Sequence, residues 1–205
     1  MTSRHRIETP ALRPGFYRRR IFPARLDREM DTAETRLIRK EVCGPLVGEV
    51  VEVGFGTGHN LPYLPATVSR LIAVEVVPGT AERLPLPDAS VDAALSTWTL
   101  CTVDDPSAVL AELSRVLRPR GALHFVEHGR SPDRRVARWQ HRLNRLQRPF
   151  NGGCNLDRDI VALINASRLR LEAVSAYYLA GDPRILGWTT QGRATAPPPS
   201  SPATR

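Results

Sequence analysis

The stretch VVEVGFGTGHN, residues 50–60, decides how the rest of the chain is read. Val50 to Val53 is short, apolar and mostly β-branched, the pattern of a strand buried on both faces. It runs straight into glycines at 54, 56 and 58. Residues without a Cβ let the backbone turn sharply and let a ligand come close to it. A dinucleotide loop wants G-x-G-x-x-G, but its third glycine would fall at 59, where His59 stands. No Gly-Lys-Ser/Thr follows, so a phosphate-cradling Walker loop is excluded as well.

The acids around the loop define the ligand further. Glu52, two residues ahead of Gly54, would repel a pyrophosphate and suits a cation. Glu75 ends the next apolar run, LIAVEVV (residues 71–77), and can accept hydrogen bonds from ribose hydroxyls. A cationic, ribose-bearing ligand satisfies both acids, and S-adenosylmethionine is one. The plainer alternative is a tight turn between two solvated acids.

Outward from this centre, apolar runs alternate with helical periods. Residues 24–42 read as a helix stopped by Gly44-Pro45, and 91–97 as a strand. Residues 105–117 form a second helix, and 121–129 a strand. Residues 133–148 form a basic amphipathic helix with Val136, Trp139, Leu143 and Leu146 as its apolar stripe. A short helix follows within 156–167. RLEAVSAYYLA and ILGWTTQGRAT, joined through Gly181-Asp182-Pro183, read as a closing hairpin. The expected fold is α/β: a Rossmann-like, mostly parallel sheet with helices on both faces and a C-terminal antiparallel strand. Residues 1–23 read as a basic flexible arm, 24–195 as a single domain, and 196–205 as a disordered Pro/Ser tail.

Composition narrows the partners. The 205 residues carry a formal net charge of +8, with Lys40 the only lysine. The arginines are dispersed and not interleaved with aromatics for base stacking, so nucleic acid is not the expected partner. No apolar run approaches the ~18 residues of a membrane span, and no apolar segment follows the basic N-terminus as in a secretory signal. Cys43, Cys101 and Cys154 lie far apart, with no CxxC or Cys/His cluster in sequence. Neither a metal nor a disulfide framework is expected, and a reduced, cytoplasmic setting fits. The basic helix suits either a cover over the substrate site, the preferred reading, or peripheral contact with an anionic membrane.

In this order the motifs resemble a known family. VVEVGFGTGHN is similar to motif I of class I S-adenosylmethionine-dependent methyltransferases. AERLPLPDASVD, ALSTWTLCTVDDP and AVLAELSRVLRPRGALHFVEH resemble the remainder of the core, in the type 11 group. RWQHRLNRLQRPFNGGCNLDRDI resembles the branch that contains the methyltransferase-like thiol methyltransferases. The resemblance covers roughly residues 15–195. It implies that Gly54, Gly56 and Gly58 cradle the methionine part of the cofactor, with Glu75 on the ribose. Ala81 and Glu82 would lie beside the adenine, and Ser96 or Thr97 would reach the carboxylate or amino end. The expected substrate is a small molecule: a thiol, a lipid or similar.

One departure stands out. In the family pattern a helix and a third strand follow Glu75, and a parallel crossover takes a dozen or more residues. Only VVPGT separates Glu75 from Ala81. The third strand and its preceding helix are therefore expected to be missing, with weakened cofactor binding. That leaves two alternatives beside the enzyme: a shortened cofactor-binding pseudoenzyme, and an arginine-rich RNA or membrane binder. Arg120 also replaces a glycine usual in the family, and would strain its turn if φ is positive there.

Methyl transfer needs alignment first and a base only when the nucleophile holds a proton. Glu127 and His128, at the end of the 121–129 strand, are the candidate bases. His141 reads as solvated among arginines, and Cys154 as a packing cysteine with no His or acid beside it in sequence. Trp98 and Trp139 suit either an apolar pocket wall or the core.

Overall fold

The computed structural model describes residues 30–75, 81–148 and 152–198, together with the backbone of Arg6–Glu8. The strands are β1 (Arg6–Glu8), β2 (Gly48–Val53), β3 (Val68–Val74), β4 (Val91–Thr97), β5 (Leu117–His128), β6 (Arg170–Tyr178) and β7 (Trp188–Thr195). The helices are α1 (Ala33–Cys43), α2 (Pro106–Val116), α3 (Arg134–Gln147) and α4 (Ile160–Ala166). The strands form one seven-stranded sheet in the order β1-β3-β2-β4-β5-β7-β6. The first five in that order pair in parallel, and β7 runs antiparallel to both β5 and β6. The Rossmann-like α/β architecture and the closing hairpin are as the sequence implies.

Period-two alternation splits the core into two layers. Val51, Val53, Ile72, Val74, Ala94 and Leu123 face α2 and α4, meeting Leu110, Leu113 and Ile164. Val50, Leu71, Ala93, Leu95 and Val126 face the other way, toward Ile38 and Val42 of α1. Each helix starts where a side chain takes up a free backbone amide. Thr32 and Thr35 form a reciprocal cap on α1, and Asp105, Asp133 and Asp159 cap α2, α3 and α4.

From β2 the chain passes to β3 on one side, and later to β4 and β5 on the other. The order therefore reverses between β2 and β4, and their carboxyl ends open the crevice in which such sheets bind ligands.

No helix or strand lies between Val74 and Val91 among the described residues. The shortened crossover is real, but the bare sheet edge expected from it is not. Ile7 and Glu8 of β1 pair in parallel with Leu71 and Ile72 of β3. A strand from the N-terminal arm thus occupies the edge, and blocks the open row of amides and carbonyls that invites aggregation. Residues 1–5 and 9–29, the rest of the arm and the first part of the helix expected over 24–42, lie outside the described residues. At the other end, Ala196 is buried and donates its amide to Gly121 O at 2.8 Å, so the sheet's bonding runs one residue into the expected tail; 199–205 lie outside the described residues.

Arg120 has φ of 67°, a left-handed conformation that costs an L-residue about 1–2 kcal/mol. Glycine there loses more backbone entropy on folding, which offsets part of the gain. Arg120→Gly is expected to stabilise the protein by ~0.5–1 kcal/mol, read as a higher urea midpoint at unchanged slope.

Candidate functional site

The glycine tip stands at the carboxyl end of β2. Gly54, Gly56 and Gly58 have φ of 77°, 55° and 83°. Gly54 is irreplaceable on two counts: its left-handed backbone, and the position a Cβ would take, 2.0 Å from Thr99 Oγ1. Both Gly54 N and Phe55 N donate to Val74 O, at 2.8 and 3.3 Å, tying the tip to the end of β3 just before Glu75. Gly56 and Thr57 are exposed, so among the described residues the tip is open.

Directly below it Glu52 is 1% exposed. Its Oε1 accepts from Asn60 Nδ2 at 2.7 Å, and the same amide nitrogen reaches Thr97 Oγ1 at 2.9 Å. Asn60 Oδ1 in turn accepts from the buried Arg39 at 2.7 Å. Burial pushes the Glu52 carboxyl up to about 7, against the pull of Asn60 and Arg39. Its second oxygen has no hydrogen-bond partner among the described residues, and neither does the buried indole nitrogen of Trp98. Unpaired buried polar atoms at a strand tip cost about 1–3 kcal/mol each unless a ligand supplies the partner. A cationic group fits the Glu52 oxygen. Trp98 itself has φ of 51°, an outlier of the kind that gathers at binding sites, and its ring lies between Arg39 and His128.

Glu75 is exposed just beyond β3, where partial desolvation raises its carboxyl pKa. Ala81 is buried and Glu82 half-buried in the loop that follows. Thr97 faces the Asn60 network. The Ser96 hydroxyl, by contrast, is spent on Glu127 Oε1 at 2.7 Å.

Glu127 is fully buried. Besides Ser96 it accepts the amides of Thr99 (3.2 Å) and Cys101 (3.0 Å), and that of Leu100. Burial raises its carboxyl above the usual range while these donors pull it back. Both oxygens clamp the loop after β4, which in turn supports Gly54 through Thr99. The geometry is that of a group holding a loop in place.

His128 has different neighbours. It is half-buried, and its Nδ1 lies 3.7 Å from Cys154 Sγ. With Cys101 the three residues place their ligand atoms within 4.8 Å of one another. Hydrogen bonding to Cys154 and burial hold the Cys101 thiol well above the ordinary cysteine range. Cys43 is a plain packing cysteine, its thiol pushed up to about 12 by burial.

Cys154 is held by α3. The face of that helix turned to the domain is polar. Gln140 is buried and bonds Gly129 O and Ile185 O; Asn144 accepts from Leu156 N and donates to Asp157; Gln147 donates to Cys154 O at 2.6 Å. His141 pairs with Asp157 at 2.9 Å. Trp139 and Leu146 of the expected apolar stripe are 55% and 68% exposed. The helix docks by carboxamides at i, i+4 and i+7, a spacing visible in the sequence but easily taken for a solvated face.

Comparison with known proteins shows what this α/β domain is similar to. Residues 66–125 match the family described as "Methyltransferase domain". Human thiol S-methyltransferase TMT1B is 40% identical over 135 residues, covering 54% of this chain and 55% of its own. Human thiol S-methyltransferase TMT1A is 28% identical over 162 residues, covering 62% and 63%. The chain thus spans little more than half the length of these two curated relatives. Among solved structures, a SAM-dependent methyltransferase from Aquifex aeolicus superposes with TM-score 0.57 at 19% identity, over 86% of this chain and 99% of that one. Geranyl diphosphate methyltransferase in complex with SAM gives 0.61 at 15%, over 84% and 89%. The fold is that of SAM-dependent methyltransferases, and the family match and the fold together imply S-adenosylmethionine as cofactor. The open glycine tip and the unpartnered Glu52 oxygen fit it.

Proposed function

We propose that this chain is an S-adenosylmethionine-dependent methyltransferase whose acceptor is a small thiol. The observation that carries the reading is the buried, half-partnered Glu52 beneath an open glycine tip at the sheet's switch point. When bound, the cofactor supplies an electrophilic methyl group on a sulfonium. Glu52 holds its cationic end, Gly54 to Gly58 give it backbone contact, and Glu75 takes the ribose. Ala81 and Glu82 border the adenine. Thr97 orients Asn60, which keeps Glu52 in place.

The acceptor must reach the methyl in line and present a lone pair. A thiol must first lose its proton, and His128 with its two cysteine neighbours lies at the end of β5, two strands from the tip. The thiol S-methyltransferase relatives support this acceptor class.

The test is incubation with methyl-labelled cofactor and a panel of alkyl thiols, phenols and phospholipids. Label on the alkyl thiols is expected. The short 75–81 connection removes a helix that would cover the adenosine, so calorimetry should give S-adenosylhomocysteine a dissociation constant weaker than low micromolar. Measurable binding with no label transfer to any acceptor would overturn the enzyme reading in favour of a cofactor-binding pseudoenzyme.

A further inference from the structure

Cys101, His128 and Cys154 come from three separate segments: the loop after β4, the end of β5, and the loop after α3. No two are close in sequence, yet their donor atoms converge within 4.8 Å. We propose that they form a three-ligand site for a thiophilic divalent cation such as zinc, whose fourth position takes the sulfur of the acceptor thiol. The second half of this statement rests on the thiol-methyltransferase reading above; the first half does not.

Four observations support the site. The donor set is soft, two thiols and an imidazole, and three protein ligands with an open position are the pattern of reactive rather than structural zinc sites. The spacing is near that of a bound metal: bonds of about 2.3 Å to sulfur and about 2.0 Å to nitrogen place tetrahedral ligand atoms ~3.5–3.8 Å apart, so a set within 4.8 Å has at most about 1 Å to close. Cys154 Sγ and His128 Nδ1 already stand at 3.7 Å.

The ligands are also held from behind, as metal ligands generally are. Glu127 Oε2 accepts the Cys101 amide. Asn155, next to Cys154, binds Cys101 O through both its backbone amide and its side chain, at 2.7 and 3.0 Å, stitching the two cysteine loops together. Gln147 fixes the Cys154 carbonyl. Finally, His128 is only half-buried, and it stands at the same end of the sheet as the glycine tip.

The chemistry balances without a further reactant. Two cysteine protons leave to solvent when the cation binds, and the two thiolates neutralise its charge. An incoming thiol displaces a coordinated water and gives its proton to solvent as its sulfur–metal bond forms. That sulfur then takes the methyl as the methyl–sulfonium bond breaks, and the neutral thioether, a poor ligand, dissociates. The cation does the work otherwise asked of a base, and it revises the expectation, drawn from sequence spacing, that no metal binds.

The experiment uses the full reduced chain, cobalt(II) as probe, and S-adenosylhomocysteine binding as a separate readout. One equivalent of cobalt is expected to give the thiolate charge-transfer band and the visible bands of a tetrahedral site. Zinc should displace it, and a small alkyl thiol should shift the visible bands. Cys154→Ser and His128→Asn should each weaken cobalt binding at least tenfold while S-adenosylhomocysteine still binds. Cys154→His should restore tetrahedral bands at altered energy, which separates lost ligation from lost folding. Cobalt binding below one equivalent, or unchanged in the Cys154→Ser/His128→Asn double variant, overturns the site. So does a Cys101–Cys154 disulfide as the state of the freshly purified chain. Bands that ignore the thiol overturn the fourth-ligand role. Cobalt binding with no S-adenosylhomocysteine binding would instead strike the methyltransferase reading and leave the metal site standing.

Discussion

Glu52→Gln is expected to weaken S-adenosylhomocysteine binding by about tenfold to a hundredfold and to flatten its pH dependence. A hydrogen bond to a charged partner is worth roughly 1.5–3 kcal/mol, the range that sets this fold-change. The pH profile follows from burial. The folded carboxyl is raised from 4.5 to about 7, so it keeps its proton where an unfolded chain has already lost it. This favours the folded state fully below pH 4.5 and is lost as pH rises through about 7; the total is roughly 3 kcal/mol. A cationic ligand beside the unpartnered oxygen stabilises the ionised form. Binding therefore releases a proton near neutrality, and affinity should rise between about pH 6 and 8 in the native protein only. The same substitution should raise the stability of the ligand-free protein at pH 8 by ~1–2 kcal/mol. Asn60 can keep its bond to the carbonyl of the new amide, while the loss of the negative charge near Arg39 offsets part of the gain. A urea titration at pH 5 and pH 8, with calorimetry at both, checks stability and binding together. Equal affinities in native and variant protein would remove Glu52 from the site.

The glycine tip and its flanking acids were legible because everything that defines them is local. Three glycines at alternate positions after a β-branched run announce a turn, and Glu52 and Glu75 are placed by counting. The missing crossover was legible for the same reason, since five residues cannot hold a helix. What fills the gap was not. Arg6–Glu8 is three residues long, too short for a period, and its place beside β3 is set by the edge it covers. Asn60 looked like the end of a motif; its carboxamide matters because α1 brings Arg39 to one side of it and β4 brings Thr97 to the other. The Cys101–His128–Cys154 cluster is the clearest case. Its members are separated by 27 and 26 residues and meet because β4 and β5 are neighbours in the sheet and the loop after α3 returns over their ends. Cys154 had no partner in its own stretch of sequence, and its partners lie across the fold.

Glu127→Gln is the second large effect, and it separates two roles for one residue. A carboxylate can accept on both oxygens at once, and here it does: Ser96 and Thr99 donate to one, Cys101 to the other. Glutamine has one acceptor and one donor. Whichever way the amide is turned, its NH2 group faces a backbone N–H that has no water to turn to, because the position is fully buried. Leaving such a group unpaired costs about 1–3 kcal/mol, and the displaced loop adds to it; an overall loss of ~3 kcal/mol is expected, with a fall in Tm of about 6–12 °C. The damage should spread in a defined direction. Thr99 supports Gly54 and Cys101 is a ligand of the proposed cation, so S-adenosylhomocysteine and cobalt should both bind more weakly in the variant, even below its melting temperature. Were Glu127 instead a general base, both ligands would stay bound in the folded variant while turnover vanished. Thermal unfolding and the two titrations, run on the same preparation, decide between them, and the burial and donor set of this carboxylate point to the first outcome.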